Sequence, residues 1–162
     1  MKTPKETTEM SEAKKSVGER NKHLVRRAVE EIWNQGNYDT LGEFITKDFT
    51  IHSSNPDEKI YGMDGVKEFY IQLRSAFPDI HFTIDTQVAE ADRVVTQWTA
   101  QGTHSGNFRG IPPTGKKFKI TAIDIERITD GKVVECWPSM DELALLEQLG
   151  VSPAPGQDLK SS

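Results

Sequence analysis

Three features of the sequence predict an α+β fold. Apolar residues recur at helical spacing before Pro78, apolar and β-branched residues alternate from His81 onward, and Asp130-Gly131 closes two of the later segments into a hairpin. Leu24, Val25, Ala28, Val29, Ile32 and Trp33 fall at steps of three and four, which puts one apolar stripe on a helix over about Arg20 to Gln35 that Gly36 ends. Asn37 can cap a short second helix carrying Leu41, Phe44 and Ile45, and a brief strand over Phe49 to His52 leads into a polar loop with Asn55 and Pro56. A third helix starts near Met63, with Val66, Phe69, Tyr70 and Leu73 on its core face. Pro78 stops it, because proline disfavours helix at the residue before it. Strands follow near His81 to Ala89, Arg93 to Thr103, Lys117 to Thr129 and Lys132 to Trp137. Ser139 and Glu142 match a capping box for a last helix with Leu143, Leu145, Leu146 and Leu149, and Gly150 stands where a left-handed cap is expected.

The 162 residues, 35% hydrophobic and 28% charged, suit one soluble domain. That domain is expected over 19–150. The stretch from Met1 to Gly18, poor in large apolar side chains, and the proline-bearing stretch after Gly150 both read as flexible tails. A formal net charge of −5 with scattered Lys and Arg argues against a nucleic-acid partner. No apolar run reaches the ~20 residues of a membrane span, and the N-terminus lacks the apolar centre of a signal peptide. Cys136 is the single cysteine, so intramolecular disulfides and cysteine zinc sites are excluded and a cytoplasmic location is the default.

Asp124 is the residue most suggestive of chemistry. It sits in the otherwise apolar run Thr121-Ala-Ile-Asp-Ile-Glu-Arg-Ile128, where an ionised carboxylate must find a partner or give up its charge. Two readings stand: a candidate acid or base, or a carboxylate on the solvated face or paired with Arg127. His52 can act as a base near neutral pH, although a partly exposed loop histidine is the simpler reading. His104 ends a strand and by alternation shares a face with Trp98, Ala100 and Gly102, so it either lines a pocket or stabilises the turn. Gly110-Ile-Pro-Pro-Thr-Gly-Lys-Lys117 imitates a phosphate loop, but it lacks the final Ser or Thr and leads into a strand. The four histidines show no metal-ligand spacing, so no metal is expected.

Several short motifs occur in a shared order: Ile32-Trp-Asn-Gln-Gly36, Phe77-Pro-Asp79, Gly102-Thr-His-Ser-Gly106, Gly110-Ile-Pro-Pro-Thr-Gly115, Asp130-Gly-Lys132, Glu135-Cys-Trp137 and Gln148-Leu-Gly150. On these, the chain from about Asn21 to Gly150 resembles the SnoaL-like polyketide or ester cyclases of the nuclear-transport-factor-2-like and ketosteroid-isomerase superfamily. The resemblance implies a cystatin-like conical barrel: a curved antiparallel sheet with three N-terminal helices and a short C-terminal helix around an apolar pocket. It also implies a homodimer formed through the sheet, with Glu135 and Trp137 on the outward contact face. The chemistry it implies is cofactor-free proton transfer on a small hydrophobic carbonyl compound, by a cyclase of intramolecular aldol type or an isomerase. Asp124 matches the strand position where ketosteroid isomerases hold an acid and polyketide cyclases often hold His, with Ile120 and Ala122 beside it, and His52 or His104 would assist. Trp33 matches a pocket-lining position, and Phe69, Trp98, Cys136 and Met140 are expected to shape the cavity. Asp141 matches a family Asp, but can equally serve the first turn of the last helix. Two departures are plain: Pro138 stands where the cyclases keep their acid/base Asp, and His52 and Ser53 stand where the isomerases keep theirs. They motivate the alternative of a non-catalytic ligand-binding or dimeric interaction module.

Overall fold

A computed structural model of the chain describes residues 17–53 and 59–151. The Asn55-Pro56 loop and most of both expected tails lie outside the described residues, and residues 17 and 18 are already helical. The first helix, α1, is α-helical over 17–28 and widens into a π-turn over Val29–Asn34. Val25 and Ile32 of its predicted stripe are buried. Gly36 breaks it at a φ of 70°, and the Arg74 guanidinium donates to the terminal carbonyls of Trp33 and Asn34 that the helix cannot satisfy itself. A 3-10 turn over Tyr38–Thr40 and the short α2, Leu41–Phe44, follow. The strand β1 covers Ile45–His52, longer than the sequence suggested, so Ile45 belongs to it and not to α2. A short β2, Lys59–Tyr61, hairpins onto β1 ahead of α3, Gly62–Ala76.

The remaining strands are β3, His81–Glu90; β4, Arg93–Thr103; β5, Lys117–Thr129; and β6, Lys132–Met140. They are followed by α4, Glu142–Leu149. All six strands form one curved sheet in the order β2-β1-β6-β5-β4-β3, left unclosed between β2 and β3. Two of its features correct the expected antiparallel picture. First, β1 pairs with β6 in parallel. Second, β6 continues through Pro138 to Met140, with Ile123 opposite Ser139, so Ser139 is committed to the ladder and cannot open α4. Asp141 caps that helix, its Oδ1 accepting from Ala144 N at 2.9 Å, and Gly150 closes it at a φ of 74°. The Asp130-Gly131 turn joins β5 to β6 with positive φ at both residues, as a tight hairpin demands.

Alternation along β5 buries Phe118, Ile120, Ala122, Glu126 and Ile128 on one face, with Asp124 between them. One core cluster joins Val25, Ile32, Phe44, Val66 and Tyr70 of the helices to Val94, Ile128 and Cys136 of this face. A second joins Phe77, Phe82, Ala100, Phe118, Leu145 and Leu149. Asp79 ties the start of β3 to the end of β4, accepting from Thr103 N and Oγ1 at 2.7 Å each, which gives the Phe77-Pro-Asp79 motif a structural meaning.

Candidate functional site

The carboxylates of β5 stand on the helix-covered face. Asp124 lies opposite Thr96 of β4 and Pro138 of β6. One step away, Ala122 lies between Trp98 and Met140; on the other side, Glu126 lies between Val94 and Cys136. Tyr70 of α3 comes down on this cluster and is itself buried. Its ring meets Trp33 at 4.3 Å and Phe69 at 5.6 Å, and Trp33 meets Phe82 at 4.8 Å. Trp98 packs edge-on to Phe82 at 5.3 Å. Of the expected lining residues, Cys136 stands opposite Glu126, Trp98 and Met140 flank Ala122 two residues from Asp124, and Trp33 and Phe69 pack on Tyr70.

Asp124 Oδ1 is buried and has no hydrogen-bond partner among the described residues. Burial pushes its carboxyl up to about 7, with the Trp98 side chain pulling weakly the other way. Glu126 is only 8% exposed, and burial and the Asp124 charge raise its carboxyl well above the ordinary range against a hydrogen bond from Thr96 Oγ1 at 3.3 Å. Burial raises the Cys136 thiol and the Tyr70 hydroxyl as well, so both are neutral. A carboxylate that titrates near neutrality with one bare oxygen can take and return a proton. Among the described residues, no three of His, Cys, Asp and Glu come together to hold a metal ion.

The two histidines are elsewhere. His52 lies on the outer face of the sheet, stacked on Trp137 at 4.8 Å, its Nε2 3.3 Å from Glu135 Oε1. Arg127 donates to Glu135 Oε2 at 2.6 Å and holds that carboxyl low, with His52 adding to the effect. The structure thus does not bring His52 to Asp124, because parallel pairing with β6 turns His52 to the side of Glu135 and Trp137. The antiparallel β5–β6 register, which sets Arg127 opposite Glu135, gives Arg127 a partner other than Asp124. His104 shares the inner face, but it stands eight residues beyond Thr96, roughly 25 Å along a strand. Its imidazole is fully buried against Phe77 and Phe108. Its Nδ1 lies 3.0 Å from Thr114 Oγ1 and 3.3 Å from Thr114 N, and the His104 backbone bonds to Lys116 and Gly115. That geometry fastens the loop after β4. Asp141 is exposed and occupied in capping α4.

A separate open cleft of about 400 Å³ lies between α3 and this loop, lined by Phe69, Leu73, Asn107, Phe108 and Arg109. It contains neither carboxylate. Sequence reasoning missed Glu126, Thr96 and the part played by Tyr70; for Glu126 the alternation that marked Asp124 was the available signal.

Comparison with known proteins places these features in context. The family model for the SnoaL-like polyketide cyclases matches residues 23–149. The chain is 32% identical over 133 residues to the aklanonic acid methyl ester cyclase DnrD of Streptomyces peucetius, covering 78% of this chain and 88% of that protein. It is 28% identical over 125 residues to the nogalonic acid methyl ester cyclase of Streptomyces nogalater, covering 73% and 89%. The crystal structure of a SnoaL-like protein from Jannaschia sp. CCS1 superimposes with a TM-score of 0.77 at 27% identity, over 84% of this chain and 95% of that one.

Proposed function

We infer the function from the premise that this chain belongs to the SnoaL-like polyketide cyclase family. On that footing it is a cofactor-independent enzyme that moves a proton on a small hydrophobic carbonyl compound, with Asp124 as the base. The observation that carries this reading is the bare, buried Oδ1 of Asp124 in a carboxyl raised to about 7. The named relatives act on methyl esters, and their likeness to this chain favours an intramolecular aldol-type closure of an ester-bearing substrate over a double-bond shift. In that closure Asp124 takes a proton from the carbon beside a carbonyl. The enolate carbon then bonds to a second carbonyl carbon of the same molecule, and the resulting alkoxide takes the proton back. Atoms and charge balance without a second reactant. Trp33, Trp98 and Met140 would set which substrate fits, while the placements of His52 and His104 favour support of the sheet and loop over direct proton transfer.

The test is turnover of such an ester by the protein and by Asp124→Asn. General acid/base work accounts for about 10²–10⁴ in rate, so a loss of at least ~100-fold with the fold intact is expected. Equal turnover by the two proteins would remove Asp124 from the chemistry.

Pro138 favours a second reading. It faces Asp124 across the ladder, where a second carboxylate would complete a familiar acid/base pair. A ligand that binds to this face and leaves chemically unchanged would make the protein a binding module of the same fold.

A further inference from the structure

A side-chain amide shares the row of Asp124. Gln87 of β3, Thr96 of β4, Asp124 of β5 and Pro138 of β6 lie opposite one another in register, so their side chains stand in one line across the inner face. The line follows the seam between the two apolar clusters. Ala89, Val94 and Cys136 lie on one side of it, Phe82, Trp98 and Met140 lie on the other, and Trp33 of α1 packs against both clusters.

Gln87 faces inward because β3 carries a bulge between Ile84 and Thr86. Before the bulge, Phe82 and Ile84 pair with Ala100 and Trp98; after it, Gln87 and Ala89 pair with Thr96 and Val94, so the inward phase moves from even to odd residues. Unbroken alternation from Phe82 would turn Val88 to the core and Gln87 to solvent. Instead Val88 is exposed and Gln87 is half-buried. The strand takes a polar amide inside and leaves a valine out, against the hydrophobic preference of both, and bulges re-aim side chains in this way beside active sites.

The orientation of the amide follows from its neighbours. Thr96 Oγ1 has one proton and gives it to Glu126 Oε2 at 3.3 Å, so towards Gln87 it can only accept, and Gln87 Nε2 lies 3.2 Å away. Gln87 Oε1 is thereby left as a buried acceptor with no partner among the described residues, and Asp124 Oδ1 is in the same condition. The two residues stand two strand spacings apart, about 10 Å between Cα atoms. A buried acceptor without a donor is costly, so this row is complete only when a donor reaches it.

We propose that Gln87 determines specificity at the Asp124 site: its Oε1 accepts a hydrogen bond from a hydroxyl group of the substrate, so that the protein selects carbonyl compounds with a hydroxyl on the β3 side of the acidic carbon. The inference rests on the reading of Asp124 as the base. The two acceptors divide the work by their chemistry, since a carboxylate can take a proton away, whereas an amide carbonyl only holds one in a hydrogen bond.

The test is an NMR titration of the whole protein with methyl benzoylacetate and with its meta- and para-hydroxyphenyl counterparts. The wild type should bind one of the hydroxylated esters at least ~10-fold more tightly than the parent, the scale of a buried acceptor gaining its donor. Gln87→Met, similar in length but with only a weak acceptor, should bind all three alike, with the affinity of the wild type for the parent. In the wild type labelled with ¹³C-Gln, the side-chain carbonyl of Gln87 should shift with the preferred ester and stay in place with the parent, a readout that does not depend on the variant folding. Equal binding of the three esters by the wild type, a preference that persists in Gln87→Met, or an unmoved Gln87 carbonyl would overturn the proposal. Binding needs no turnover, so a preference that depends on Gln87 without any proton exchange at the acidic carbon would remove Asp124 as the base and leave the role of Gln87 standing.

Discussion

At Asp124 the same burial that creates a base also weakens the fold. Its carboxyl lies near 3.8 when solvated and at about 7 in the folded protein. The folded state therefore holds this proton more tightly than the unfolded chain does. The resulting stabilisation is fully present below pH ~4, declines as pH rises between the two values, and is gone above pH ~7. Asp124→Asn removes this dependence. Relative to the wild type, the variant should gain stability as pH rises from 4 to 8, by up to about 4 kcal/mol at one unit per 1.36 kcal/mol. Denaturant titrations of both proteins at pH 4.5 and 8 measure it, and a difference independent of pH would contradict the assigned protonation. Alternation with Ile120 and Ala122 made Asp124 legible in the sequence, because a period of two is a local property. The same alternation runs on to Glu126, but a Glu beside Arg127 near a strand end looks like a solvated pair. The structure gives Arg127 to Glu135 instead. Which face His52 occupies could not be read, since it depends on pairing with β6, more than eighty residues away.

Among the elements, β6 and α4 show where local signals mislead. Proline has no N–H for a ladder, yet β6 runs on through Pro138 to Met140. It is tolerated because β1 pairs with β6 only as far as Ile51 opposite Cys136, which leaves that side of Pro138 without a strand neighbour. With β6 prolonged, the cap of α4 moves from Ser139 to Asp141. Asp141→Ala should cost about 1 kcal/mol, the usual value of an N-cap carboxylate, while Ser139→Ala should leave helix stability unchanged. Thermal unfolding distinguishes the two, and a Ser139→Ala cost equal to that of Asp141→Ala would return the cap to Ser139. The hairpin at Asp130-Gly131, by contrast, was fully legible because its chemistry is local.

For the molecule as a whole, the ordered motifs pointed to the family and its architecture, but not to the parallel β1–β6 pairing, which brings together segments distant in sequence. The outer face of the sheet carries Val88, Val95, Ile125 and Trp137 in register across four strands, with Val88 62% and Ile125 37% exposed. We propose that this row is the contact of a homodimer, since an apolar band on a sheet face is stabilised by being covered. The protein should sediment as a dimer at micromolar concentration and Ile125→Lys as a monomer; a monomeric wild type would contradict the interface.

The most direct measurement is hydrogen–deuterium exchange at the carbon between the carbonyls of a 1,3-dicarbonyl methyl ester, followed by NMR in heavy water with the wild type and Asp124→Asn. Exchange accelerated by the wild type and reduced at least ~100-fold in the variant is the predicted result. Equal exchange with both proteins, or none above the buffer rate with the wild type, would contradict Asp124 as the base of a carbon-acid enzyme.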